Sequence, residues 1–102
     1  MANTFKNYTA ASVGVTPTTV YTVPSATTSV MIGMTLANVE ASQITIDVQC
    51  AGVYLVKGAA IPSGSSLSVV DGKIILETTD AVIVTASTAA SVDVIISVLE
   101  QS

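Results

Sequence analysis

The side chains able to do chemistry are few in this chain, and they are badly spaced for it. Seven are acids (Glu40, Asp47, Asp71, Glu77, Asp80, Asp93 and Glu100) and three are bases (Lys6, Lys57 and Lys73). There is no histidine and no arginine. Without histidine the chain lacks the commonest general acid–base group and the commonest metal ligand. A Ser-His-Asp triad, a Cys-His pair or a histidine-containing zinc site cannot be built from one copy. The 26 Ser and Thr residues offer hydroxyls but no base to activate one. Asp71-Gly72 has no run of oxygen ligands at alternate positions, so it reads as a turn and not as a calcium loop. Glu77 and Asp80 flank Thr78-Thr79 without a third ligand, and a solvated turn is the better reading. Cys50 falls in register with Ile44, Ile46 and Val48, which makes it a small buried hydrophobe. A reactive thiol needs a nearby cation or helix N-terminus, and neither is in sight. The expectation is a protein with no catalytic residues, no metal and no cofactor: not an enzyme.

The same inventory limits partners. Three lysines and a net charge of −4 cannot neutralise many phosphates, which argues against nucleic acid and against anionic membrane surfaces. Tyr8, Tyr21 and Tyr54 are scattered and not interleaved with basic residues, so they form no base-stacking platform. Asn7 to Val39 carries no charge, but Gly14, Pro17, Pro24 and Gly33 break it, so it is no membrane helix. No charged segment leads into an apolar run at the N-terminus, so no signal peptide is expected. One cysteine allows no internal disulfide. A soluble chain made in a cytoplasm is the expectation.

The elements that must position these residues are strands. Val, Ile and Thr supply 39 of the 102 residues, and β-branched residues suit a pleated, half-buried surface. At this length one domain, 1–102, is expected. Residues 44–50 alternate Ile44, Ile46, Val48 and Cys50 against Thr45, Asp47 and Gln49. Residues 30–36 set Val30, Ile32, Met34 and Leu36 against Met31, Gly33 and Thr35. Residues 92–98 set Val92, Val94, Ile96 and Val98 against Asp93, Ile95 and Ser97, and 82–86 alternate likewise. Thr18–Val23, Val53–Lys57, Ser66–Val70 and Lys73–Glu77 are shorter candidates, and Phe5–Val13 a weaker one. Ala51-Gly52 and Asp71-Gly72 read as hairpin turns, Asp-Gly being a favoured type I′ pair. No window has a capped 3.6-residue period. The whole is all-β, a mostly antiparallel sandwich of about eight strands. Strand order is not written in periodicity, so a jelly roll and other sandwiches both stay open.

Some apolar residues fall off the main stripes. Met31, Ile95 and Leu99 do so, in a chain with only 10% charged residues where about 25% is usual. Either a second face is covered within the sandwich, or the surplus marks a subunit interface. The balance favours the interface. The N-terminal segment 1–10, with Phe5 and Tyr8, is a second candidate for partner contact.

Several segments are familiar together: Met1-Ala2-Asn3-Thr4-Phe5-Lys6-Asn7, Thr22-Val23-Pro24-Ser25-Ala26-Thr27-Thr28-Ser29-Val30 and Leu36-Ala37-Asn38-Val39. Ile61-Pro62-Ser63-Gly64-Ser65-Ser66-Leu67, Asp71-Gly72-Lys73-Ile74-Ile75-Leu76-Glu77 and Ser97-Val98-Leu99-Glu100 complete the set. In order and spacing the chain resembles small virion structural proteins of tailed bacteriophages, especially cyanophages and other marine phages. It departs from their pattern at Thr78-Thr79-Asp80, where Gly-Asp often follows Leu-Glu. The resemblance implies a β-sandwich assembled into a virion in the host cytoplasm. A capsid decoration (cement) protein is the first expectation, contacting the major capsid protein or other virion proteins as a homo-oligomer, with a trimer favoured. A tail, neck, baseplate or fibre component is the alternative, and a host- or carbohydrate-binding module the rival from another class.

Overall fold

The computed structural model describes residues 3–70 and 72–102, so Met1, Ala2 and Asp71 lie outside the described residues. Nine strands follow in order: β1 (Asn3–Val13), β2 (Thr18–Thr22), β3 (Thr28–Asn38), β4 (Ile44–Cys50), β5 (Val53–Ile61), β6 (Ser66–Ser68), β7 (Ile74–Leu76), β8 (Ala81–Ala86) and β9 (Val92–Gln101). There is no helix among the described residues. Every strand pair is antiparallel.

The strands form two sheets, ordered β1-β9-β3-β6 and β2-β8-β4-β5, with β7 also paired to β3. Consecutive strands β1 to β4 alternate between the sheets, and the last strand lies between β1 and β3. With β6 and β7 counted as one interrupted strand, this is the order of a jelly roll, two Greek keys wrapped into a sandwich. The sandwich arises because each sheet has one apolar face to hide. Leu36, Val94, Ile96 and Val98 from one sheet share a core with Ile46, Val48, Val82 and Val84 from the other.

Two sequence expectations change here. Strict alternation puts Met31 off the stripe of its strand, but it is fully buried (0% exposed). The reason is a bulge. Met31 pairs with Val98 and Gly33 with Ser97, which leaves Ile32 as an extra residue between them. Inward parity therefore runs Ser29, Met31, then Met34, Leu36. Met31 has no surface to offer a partner, and Ile32 turns outward in its place.

The second change concerns Asp71-Gly72. Segments 66–68 and 74–76 do not pair with each other as a hairpin. Both pair with β3, β6 against Thr35–Ala37 and β7 against Ser29–Met31. They form a single edge strand interrupted opposite the bulge. Ala51-Gly52, by contrast, is the tight hairpin expected: both residues have positive φ (52° and 83°), and Cys50 pairs with Val53 across the turn.

Candidate functional site

The outward face of the β1-β9-β3-β6/β7 sheet is where the surplus apolar residues gather. Phe5 pairs with Leu99, Leu99 with Val30, and Val30 with Ile75. Residues paired directly across an antiparallel sheet point to the same side, so these four make one apolar row spanning the sheet. Its ends are the most open: Phe5 is 73% exposed and Ile75 68%. Leu99 and Val30 are half-buried between them. The bulged Ile32 stands beside the row, 42% exposed.

Ile95 lies further along the same face, between Thr9 and Thr35. It borders a shallow hollow of about 310 Å³ floored by small residues, among them Ala11, Thr35 and Ala37. Asp93 is the one charged residue among the outward-facing strand positions. It is already engaged, accepting a hydrogen bond from the Ser12 backbone N–H at 2.9 Å.

The inward side of β1 carries different chemistry. Glu100 continues the inward parity of Val92, Val94, Ile96 and Val98, so its carboxylate enters the end of the core. Tyr21, from the opposite sheet, donates to its Oε2 at 2.7 Å, and Tyr8 donates to the same oxygen at 2.9 Å. The two rings pack with centroids 4.5 Å apart. Lys6 Nζ stands 3.7 Å from Oε1. The hydrogen bond from Tyr21, with those from Tyr8 and the charge of Lys6, holds Glu100 below the usual carboxylate range although burial opposes this. Burial first, then Glu100, pushes the Tyr21 phenol up to about 12. Both groups are moved away from neutrality, opposite to what a general acid or base at pH 7 needs. The cluster is a polar clasp between the sheets. Ser29, which pairs with Glu100, is buried there beside the Tyr21 phenol, and its hydroxyl opposes the rise of that phenol.

Phe5, Ile95 and Leu99 thus share one face, Tyr8 turns inward to the clasp, and Met31 belongs to the core. Ile32 and Ile75 are outward apolar residues that periodicity did not single out. Cys50 is buried as expected, and burial pushes its thiol up. Asp47 lies on the polar side of β4, an interior strand, and so blunts no sheet edge. Its carboxylate accepts from the Gly58 backbone N–H at 2.7 Å and lies 3.8 Å from Lys57, pinning the irregular β5. Glu77 and Asp80 form the expected turn, the Asp80 carboxylate accepting from the Glu77 N–H at 2.9 Å. No group of three or more possible metal ligands occurs among the described residues.

No protein-family model matches the chain, and no curated protein does. Among solved structures it is similar to a chain from Bacillus endospore appendages, which form a family of disulfide-linked pili. The TM-score is 0.57 at 14% identity, covering 98% of this chain and 88% of that one. At this identity the likeness is one of fold.

Proposed function

We propose that this chain is a structural protein of a bacteriophage virion, a capsid decoration protein that stabilises the shell by protein–protein contact and catalyses nothing. The observation that carries the reading is the apolar row Phe5–Leu99–Val30–Ile75, set with Ile32 and Ile95 on a face where Asp93 is the one outward-pointing charged strand residue. Four strand positions about 4.8 Å apart and about ten residues long at 3.3 Å each give roughly 600 Å². Covered by a partner, that is roughly 1,200 Å² in total, the lower end of stable interfaces. Repetition over a shell strengthens such contacts by avidity. The resemblance of the sequence to small virion proteins supports the phage setting.

The test is the copy number of the chain in purified particles, with rebinding of purified protein to shells that lack it. Hundreds of copies and saturable rebinding are the expected results. A handful of copies moves the protein to the tail, neck or baseplate. Absence from particles, with no binding to shells, defeats the virion reading.

A second reading is a subunit of a filament. The fold likeness to a pilus protein favours it, as does the elongated outline of 45 × 20 × 20 Å. Covalent linkage through Cys50 would not serve, because that thiol is inside the sandwich. Electron microscopy of the concentrated protein separates the two readings, since a decoration protein forms no filaments by itself.

A further inference from the structure

We infer that the open edge of β1 pairs antiparallel with β1 of a second copy, in the register that sets Asn7 opposite Asn7. A sheet edge is a row of unpaired N–H and C=O groups, and proteins blunt such edges with short strands, bulges or charges. Three of the four edges here are blunted. The β6/β7 edge is broken into two three-residue pieces. β2 has five residues and a register shift between Thr19 and Tyr21. β5 has two shifts against β4, a left-handed Gly58 (φ 67°) and Lys57. β1 carries one lysine, Lys6, and its irregularity is confined to the far end, between Ala10 and Val13. It runs eleven residues and pairs with β9 without interruption from Asn3 to Ala10. Asn3 to Asn7 are exposed on both faces of the strand. Tyr8 packs on Tyr21 of β2, but the two strands form no ladder.

An edge this long calls for a regular strand of similar length, and β1 itself is the one free strand of that kind among the described residues. The register follows from charge. A twofold axis normal to the sheet keeps both outward faces on one side and sets one β1 residue opposite itself. Centring near the middle of Asn3–Ala10 leaves two choices. Lys6 opposite Lys6 places like charges in direct apposition, which destabilises a strand pair. Asn7 opposite Asn7 sets Lys6 against Tyr8 and Phe5 against Thr9, and gives the exposed Phe5 a neighbour on its open side. The apolar rows of the two copies then lie on one continuous face. The inference deepens the assembly reading by naming a partner, and it rests on that reading only for its purpose: its test uses the isolated protein and no particle.

The test is disulfide trapping. Directly opposed residues have Cα atoms about 4.5–5.5 Å apart, within the range a disulfide spans. Asn7→Cys should oxidise to a covalent dimer about tenfold or more faster than Gln43→Cys, an exposed loop control. Phe5→Cys and Thr9→Cys should each stay uncrosslinked alone and crosslink when mixed. The unmodified protein at high concentration should have twice the 10.3 kDa chain mass by light scattering. A monomer at high concentration, a trimer, or crosslinking of Asn7→Cys no faster than the control overturns the inference. So does self-crosslinking of Phe5→Cys in preference to Asn7→Cys, which would mean a different register.

Discussion

Glu100 is the carboxylate on which two phenols and an ammonium converge, and its contacts set the pH range of the fold. Removing the Tyr21 hydroxyl leaves a buried charge with one donor fewer. Tyr21→Phe should therefore cost about 1.5–3 kcal/mol in urea unfolding, the usual worth of a hydrogen bond to a charged group. The pH response has two limbs. Glu100 is held below its ordinary range in the folded state, so its stabilisation is present above the unfolded carboxylate pKa and is lost as pH falls through the folded value. Tyr21 is raised from 10.0 to about 12, so its contribution is intact below pH 10 and is lost as pH climbs toward 12. Thermal melts across pH should show a plateau between these limbs. Glu100→Gln should flatten the acid limb and Tyr21→Phe the alkaline one; unchanged limbs would assign the pH dependence to other groups. Part of the clasp was legible in the sequence, because Glu100 sits at an inward position of an alternating strand. Its partners were not legible, because Tyr8 and Tyr21 reach it from two other strands and sheet order brings them there.

At the scale of elements, alternation revealed nearly every strand, since burial of one face imposes a period of two. It failed where the chain inserts a residue. The bulge at Ile32 changes which face Met31 and Met34 share, and nothing in the local sequence forces it. Asp71-Gly72 misled for a related reason. A turn pair reports a local backbone preference, while the long β3 had room to pair both flanking segments. Two turns yield predictions. Ala51 holds φ 52° in the Cys50–Val53 hairpin, a conformation that costs most residues energy but suits asparagine. Ala51→Asn should stabilise by about 0.5–1 kcal/mol, raising the melting midpoint by several degrees. At Gly14 a Cβ would stand 3.0 Å from the Ala90 backbone N and 3.2 Å from Ala89 Cα. Backbone cannot move aside as a flexible side chain can. Gly14→Ala should thus cost about 1–3 kcal/mol by overpacking; a neutral result in chemical denaturation would mean that the 88–90 turn yields freely.

For the molecule as a whole, the shortage of charge and the apolar sheet face act together. The net charge is −4 at pH 7, with a sequence pI near 4.1. Repulsion between copies therefore fades as pH falls toward 4, while the apolar row on the outward face is unchanged. Self-association should rise steeply as that pH is approached, before the acid limb unfolds the chain. Net charge alone predicts the same trend, so position has to separate the two causes. Ile75→Lys puts a cation at the exposed end of the row, and Thr19→Lys puts one on an exposed residue of the other sheet. Both change net charge equally, and both should alter stability by no more than about 0.5 kcal/mol. Light scattering against pH should show association suppressed by Ile75→Lys and little affected by Thr19→Lys. Equal suppression by the two would trace association to net charge, and the outward face would lose its claim to be the surface through which this chain meets its neighbours.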